Sequence, residues 1–130
     1  MKKILLVDDE QDILEVLKRS IEIESEKKEQ RLQVNSFSSP QEALESFEPG
    51  VYDLAIIDIR MPGMNGFELY RELKALDPTI TMCFLSAFEM HQEEFKRIFP
   101  SMSDSIKTII QKPITAQRLL KEIQLFLKTS

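Results

Sequence analysis

Short runs of apolar residues alternate along the chain with longer segments in which apolar residues recur every three or four positions. Residues 4–7, 54–57 and 80–85 are nearly continuous apolar runs, which are typical of strands buried on both faces. Residues 32–37 and 106–110 predict two further strands, and the more polar character of the latter favours an edge of the sheet. The pattern therefore predicts five strands.

Segments with helical periodicity follow these strands in turn, over residues 12–24, 40–47, 67–76, 90–99 and 115–128. In the first segment, the residues expected to form the buried stripe are Ile13, Val16, Leu17 and Ile21, with Leu14 and Ile23 at its margins. The pattern is least regular over residues 90–99, and residues 100–105 predict a polar loop. Strands that alternate with helices predict an α/β fold built on a doubly wound, five-stranded parallel sheet.

The composition excludes several classes of function without changing the predicted fold. A chain of 130 residues has the length of one domain, so we expect a single domain over residues 1–130. Its 17 basic and 22 acidic residues give a net charge of −5, which provides no basic surface for nucleic acid or anionic lipid. No apolar run approaches the roughly 20 residues of a membrane span, and Cys83 lies in an apolar stretch typical of a buried, reduced thiol. We therefore expect a cytoplasmic protein.

Polar side chains that could act together stand where the predicted strands end. Asp8 and Asp9 follow the first strand, Asp58 ends the third, Ser86 follows the fourth and Lys112 follows the fifth. Because the carboxyl ends of parallel strands share the edge of the sheet where ligands bind, we expect these side chains to converge. Taken singly they indicate less: Asp8 or Asp9 is equally well explained as a helix N-cap, and a lone lysine is typical of a surface.

The charges of this group predict a bound divalent cation. Three carboxylates and one ammonium sum to −2, which is unfavourable unless a cation joins them. Oxygen ligands without histidine or cysteine select Mg²⁺, or Mn²⁺, over zinc. A cation, a lysine and the Ser86 hydroxyl aimed at one place suit phosphoryl transfer. The chain has no glycine-rich nucleotide-binding loop, and no histidine at a strand end that could activate Ser86.

Four sequence blocks, in this order, resemble the receiver domain of response regulators in two-component signalling. They are Ile4-Leu5-Leu6-Val7-Asp8-Asp9-Glu10, Asp58-Ile59-Arg60-Met61-Pro62-Gly63-Met64-Asn65-Gly66, Ser86-Ala87 and Lys112-Pro113. The D-x-x-M-P-x-x-N-G block, with an acidic pair upstream and Lys-Pro downstream, makes the resemblance specific, and it covers essentially the whole chain. It implies a flavodoxin-like fold with the strand order 2-1-3-4-5.

The resemblance also implies a role for each polar residue at the strand ends. Asp58 would accept a phosphoryl group from a phosphohistidine on a sensor histidine kinase or a histidine phosphotransfer protein. The implied ligands of Mg²⁺ are Asp8, Asp9, Asp58 and the backbone carbonyl of Arg60. Ser86 and Lys112 would each bind a phosphoryl oxygen after transfer. The charge of a phosphoaspartate, about −2, agrees with these roles because Lys112 and Mg²⁺ offset it.

The chain departs from the receiver pattern at positions that bear on switching. Receivers usually carry Tyr or Phe three residues before the lysine, and here that position is Ile109. We therefore expect little side-chain movement at position 109, and Phe88 is a candidate for coupling the site to the helix over 90–99 instead. Residues 100–105 also lack the Gly-Ala pair usual before the fifth strand. The resemblance further implies a cis peptide bond between Lys112 and Pro113.

The leading interpretation is a Mg²⁺-dependent signalling switch, not a turnover enzyme, that acts on an unknown downstream protein without binding nucleic acid or membrane directly. No output domain follows the last predicted helix, so a stand-alone receiver and a fragment of a larger regulator both fit. A pseudo-receiver that is never phosphorylated is an alternative, mainly because of Ile109. A phosphohydrolase of the haloacid-dehalogenase type is another, but Arg60 stands where that family has a second acid.

Overall fold

A computed structural model describes residues 2–29, 31–87 and 106–129 of the chain. Its strands are β1 (Lys2–Val7), β2 (Leu32–Phe37), β3 (Leu54–Asp58), β4 (Met82–Ser86) and β5 (Ile106–Gln111). Its helices are α1 (Gln11–Lys27), α2 (Pro40–Ser46), α3 (Gly66–Leu76) and α4 (Ala116–Thr129). The predictions for the helix over 90–99, the loop over 100–105 and Phe88 lie outside the described residues.

The five strands form one parallel sheet in the order β2-β1-β3-β4-β5, which confirms the predicted fold class and strand order. Residue pairs near the carboxyl ends are in register: Val7 lies opposite Ile57, Asp58 opposite Leu85, and Ser86 opposite Gln111. The carboxyl ends of β1, β3, β4 and β5 therefore meet at one edge. None of the helices in the described part of the chain combines the length and apolar character that a membrane span requires.

Successive side chains of each central strand enter opposite apolar layers, because side chains alternate between the two faces of a sheet. In β1, Leu5 and Val7 pack with α2 and α3, whereas Ile4 and Leu6 pack with α1 and α4. This two-sided burial explains why β1, β3 and β4 are continuous apolar runs. Cys83 of β4 is fully buried, and burial raises the pKa of its thiol, as expected for an unreactive core cysteine.

The predicted buried stripe of α1 is wrong for three of its residues. Leu14, Leu17 and Ile21 face the sheet, but Ile13, Val16 and Ile23 are exposed by 44%, 64% and 53%. Apolar residues occupy two faces of this helix, and periodicity alone does not reveal which face meets the sheet. Ile13 and Val16 are therefore surface residues at the amino-terminal end of α1.

Helix α1 also runs three residues beyond its predicted end because its last turns contact the edge strand β2. The backbone N–H of Leu32 donates to Ser25 Oγ (3.1 Å), and that of Val34 donates to Glu22 Oε2 (3.0 Å). Ser25 Oγ in turn donates to the carbonyl of Glu22 (2.9 Å). Two outward-facing groups of the edge strand are thus satisfied by a helix, which protects the edge against pairing with another chain.

Smaller differences concern strand ends and helix caps. The fourth strand begins at Met82, not at residue 80, and it includes Ser86. Ser39 caps α2, since its Oγ accepts the backbone N–H of Glu42. Asp77, which ends α3, accepts hydrogen bonds from the backbone N–H of Gly50 (2.9 Å), the N–H of Thr79 (3.2 Å) and the Thr79 hydroxyl (2.8 Å). This buried carboxylate ties together two loops at the edge of the sheet opposite the polar cluster.

We expect Asp77→Asn to lower the free energy of unfolding by about 1–3 kcal/mol at pH 7, because a buried carboxylate with several donors loses part of its bonding. The Gly50 N–H, and then the Thr79 donors, hold the pKa of Asp77 below its usual value against the effect of burial. A lowered folded-state pKa gives stability that is present above the unfolded-state pKa and is lost as the pH falls through the folded-state value. The defect should therefore shrink at pH 3.

Urea unfolding of the wild type, Asp77→Asn and the exposed-site control Glu45→Gln at both pH values measures this effect. A defect of equal size at pH 7 and pH 3 would contradict the assigned role of the Asp77 charge.

Candidate functional site

The ends of four strands bring together the polar residues that the sequence singled out. Asp58 and Ser86 are the last residues of β3 and β4, while Asp8 and Asp9 follow β1 and Lys112 follows β5. They surround a small cleft of about 170 Å³. The residues that line it are Asp9, Glu10, Asp58, Ile59, Arg60, Ser86, Ala87 and Lys112. The predicted convergence is confirmed: Asp9, Asp58, Ser86 and Lys112 line the cleft, and the fully buried Asp8 lies within 4.8 Å of the other two carboxylates and 2.7 Å from Lys112.

Backbone hydrogen bonds between neighbouring strands fix how far each strand end extends relative to the next. The N–H of Ile59 donates to the carbonyl of Leu85 (2.9 Å), and the N–H of Lys112 donates to the carbonyl of Ser86 (2.7 Å). The sheet ladder is thereby continued past the last residue of β3 and past the end of β5. The peptide bond between Lys112 and Pro113 is cis, as the resemblance implied.

Gly66 positions the site, a role that neither its loop break nor its place in the D-x-x-M-P-x-x-N-G block revealed. Its N–H donates to the carbonyl of Ile59 (2.8 Å), and a Cβ at this position would lie 2.4 Å from the Asp58 carbonyl oxygen. Only glycine therefore allows the start of α3 to lie against the end of β3. Asn65 completes this junction, because its side chain and that of Glu68 form a reciprocal capping box.

Lys112 is the cation that holds the carboxylates together. Its Nζ lies 2.7 Å from Asp8 Oδ2, 3.3 Å from Glu10 Oε1 and 3.5 Å from Asp58 Oδ1. Burial alone would lower the pKa of Lys112, but the adjacent carboxylates, Asp8 first, outweigh it and leave the pKa raised. The ammonium is thus firmly charged and shared among three acids.

The carboxylates of Asp8, Asp9 and Asp58 fit a divalent cation. One oxygen from each lies within 4.8 Å of those of the other two. Asp8 is fully buried, and its Oδ2 has the Lys112 ion pair but no hydrogen bond of normal geometry among the described residues. Oxygen donors alone are the ligand set that Mg²⁺ and Mn²⁺ prefer. Asp8 is also not a simple helix cap, since the backbone N–H that it accepts within the described residues is that of Glu10 (3.0 Å), one residue before α1 begins.

The environment of Asp58 disfavours its charged form. Burial, then the neighbouring charge of Asp8, raises its pKa to about 7, although Lys112 acts in the opposite direction. A cation bound beside Asp58 would favour its charged form and lower this pKa again. Asp58 is therefore a carboxylate whose charge depends on what else occupies the cleft.

The remaining predicted site residues lie at different distances from this cluster. Ser86 is buried at the wall of the cleft, and Arg60 is exposed at its rim. Ile109 is half-buried on β5 and packs against the apolar layer that contains α3. Glu10, which no prediction singled out, enters the cluster through Lys112. The sequence signals for it were its position directly after two aspartates and its place at the end of the first block that resembles the receiver domain.

We expect Asp58→Asn to stabilise the metal-free protein at pH 8 but hardly at pH 4. A folded-state pKa raised from 3.8 to about 7 gives stability that is full below the unfolded-state pKa and is lost as the pH rises through the folded-state value. The wild type therefore loses stability between about pH 4 and pH 7, whereas the amide does not titrate.

The difference between the two proteins should reach the order of 2–4 kcal/mol at pH 8, measured by urea unfolding in the presence of a chelator. A difference that is constant from pH 4 to pH 8 would show that Asp58 is not protonated in the fold.

Comparison with known proteins places this geometry in a family. The chain matches the response regulator receiver domain over residues 4–124. The regulatory protein VanRB of Enterococcus faecalis is 33% identical over 130 residues, which cover 98% of this chain and 53% of that protein. A CheY-like response regulator receiver domain protein from Methanospirillum hungatei has a similar structure, with a TM-score of 0.80, 27% identity, and coverage of 99% of this chain and 95% of that one.

The response regulator protein TrrA from Thermotoga maritima, solved in complex with Mg(2+)-BeF, is 28% identical with a TM-score of 0.74, covering 97% of this chain and 99% of that one. The chain spans about half or less of the length of the curated relatives it matches, from 24% to 53%. Receiver domains bind Mg²⁺ through acidic residues and are typically signalling switches, not turnover enzymes. By its match over residues 4–124, its strand order and its acidic cluster, the chain belongs to the response regulator receiver domain family.

Proposed function

We propose that this chain is a Mg²⁺-dependent phosphoacceptor switch in which Asp58 receives the phosphoryl group. The observation that carries the proposal is the position of the Asp58 carboxylate, which ends the central strand β3 and lies 3.5 Å from Lys112 in a cleft that Ser86 also lines. A nucleophile, a cation and a hydroxyl donor thereby surround one small space. This arrangement suits a phosphoryl group, which has three peripheral oxygens to be neutralised.

In the proposed reaction, a carboxylate oxygen of Asp58 attacks the phosphorus of a phosphohistidine on a partner protein. A P–O bond forms, the P–N bond breaks, and its electron pair returns to the imidazole nitrogen. The product is a phosphoaspartate that carries about −2 of charge in place of −1. The aspartate must be deprotonated to attack, so the pKa near 7 makes a bound cation valuable for the reaction as well as for the product.

The residues proposed to hold Mg²⁺, or Mn²⁺, are Asp8, Asp9, Asp58 and the backbone carbonyl of Arg60. The cation would neutralise charge on the phosphoryl oxygens during transfer. Few protein ligands leave several waters in place, so the affinity should be weak. Asp9 is exposed at the entrance of the cleft, which gives the cation a route in.

Ser86 and Lys112 are the residues proposed to bind the transferred group. Lys112 need only exchange its carboxylate partners for phosphoryl oxygens, since it already lies beside Asp58. Movement of Ser86 towards the phosphoryl group would then pull on the chain that follows β4, and Phe88, outside the described residues, is the residue proposed to take part in the switch. Ile109 is held by core packing and has a stiff side chain, which supports a switch that does not depend on it.

The proposed phosphoryl donor is a sensor histidine kinase or a histidine phosphotransfer protein. Exposed Ile13 and Val16 border a shallow apolar groove with Ile114 and Ala116, beside the loop that carries Lys112. Apolar surface next to a phosphoacceptor supports docking of a donor protein there. The downstream target is proposed to be another protein, or a further part of a longer chain, in the cytoplasm.

The experiment that tests this function is incubation of the protein with Mg²⁺ and phosphoramidate or acetyl phosphate, followed by intact-mass measurement. We expect one added phosphoryl group, of about 80 Da, in the wild type. Asp58→Asn should show none. Asp9→Ala should also lose the adduct while its unfolding free energy stays the same or rises, because one member of a like-charge cluster is removed.

Three outcomes would contradict the proposal in different ways. Absence of any adduct on the wild type favours a pseudo-receiver that only binds proteins. Steady turnover of the small phosphodonor without a persistent adduct favours a phosphohydrolase. Normal phosphorylation of Asp9→Ala at millimolar Mg²⁺ would show that the metal assignment is wrong.

A further inference from the structure

Glu10 occupies the N-cap position of α1, but its side chain does not cap the helix. It makes no cap hydrogen bond, and its Oε1 lies instead 3.3 Å from Lys112 Nζ, 102 residues away in sequence. The backbone N–H of Glu10 donates to Asp8 Oδ1, which fixes where its side chain begins. Glu10 therefore forms an ion pair with Lys112 of the cleft in place of a capping hydrogen bond at the start of α1.

Once a phosphoryl group is present, Lys112 cannot pair equally well with all of the negatively charged groups around it. It is 14% exposed and lies between two buried carboxylates, Asp8 and Asp58, and the half-exposed Glu10. A cation bound to Asp8 and Asp58 would weaken the attraction of these two acids for Lys112, because it neutralises their charge. Glu10, whose carboxylate points to the lysine from the rim, is then the remaining competitor of the phosphoryl oxygens.

We propose that Glu10 is a positioning residue that holds Lys112 towards α1 and thereby weakens its pairing with a phosphoryl group on Asp58. This inference rests on the proposed function of the cleft and adds to it a side chain that limits how firmly the phosphorylated state is held. Glu10 and the phosphoryl group compete directly, because the Glu10 carboxylate and a phosphoryl oxygen would both pair with the ammonium of Lys112. Removing the contact should leave the fold intact and strengthen the phosphorylated state.

The test is the affinity for beryllofluoride, a mimic of the phosphoryl group, measured by calorimetry at saturating Mg²⁺. We expect Glu10→Gln to bind it about two- to fivefold more tightly than the wild type, the range that one partly exposed ion pair supplies. Glu10→Asp keeps the charge but is one methylene group too short for the contact, so it should match Glu10→Gln. Asp12→Asn removes an exposed charge from the same end of α1 and should match the wild type.

A second measurement needs no metal. The unfolding free energies of the wild type, Glu10→Gln, Lys112→Gln and the double variant, taken in the presence of a chelator, should show that the two positions are energetically coupled. Additive effects would overturn the proposal, because they would show that the contact does not operate in solution.

The beryllofluoride results separate the remaining possibilities. Equal affinities for all four proteins, or weaker binding by Glu10→Gln, would overturn the role of Glu10 while leaving the proposed function standing. An increase in Glu10→Gln and Asp12→Asn but not in Glu10→Asp would show an effect of charge alone and would also overturn it. A wild type that binds no beryllofluoride at any Mg²⁺ concentration would overturn the proposed function together with this inference.

Discussion

Mutual repulsion among carboxylates at one edge of the sheet is the constraint on which the site depends. Asp8, Asp9 and Asp58 place oxygens within 4.8 Å of one another, and one ammonium, that of Lys112, lies among them. Three negative charges and one positive charge leave an excess of −2 before Glu10 is counted. Burial first, and then this imbalance, raises the pKa of Asp58 to about 7, and protonation is one of two ways to relieve the repulsion. Binding of a divalent cation is the other.

The packed core of the sheet and helices holds this unfavourable cluster in place. Two apolar layers enclose β1, β3 and β4, so the strand ends cannot move apart without exposing core side chains. Backbone bonds from Ile59 and Lys112 to the neighbouring strand continue the sheet to the edge of the cleft. Gly66 then lets α3 start against the backbone at the end of β3, where Asp58 lies. Stability gained in the core thus offsets a strained electrostatic arrangement at the edge.

Much of this could be predicted from the sequence, because the pattern of buried runs and the residues at their ends are local features. Continuous apolar runs predicted the strands, and their carboxyl ends predicted the position of the cleft. Prediction failed where orientation mattered: α1 has two apolar faces, and only packing shows that Leu14, not Ile13 or Val16, meets the sheet. The roles of Gly66 and Glu10 were not predicted either. One depends on a 2.4 Å approach between backbones, and the other on a contact across 102 residues.

The acidic cluster should disfavour the folded state until a divalent cation binds it. The most direct measurement is thermal unfolding of the wild type and Asp9→Asn at pH 8, with and without Mg²⁺. A ligand that binds only the folded state raises the Tm, and above its Kd the stabilisation grows with the logarithm of the ligand concentration. We expect Mg²⁺ to raise the Tm of the wild type. Metal-free Asp9→Asn should be at least as stable as the metal-free wild type and should gain almost nothing from Mg²⁺. Equal Mg²⁺-dependent gains in both proteins, or none in the wild type, would contradict it.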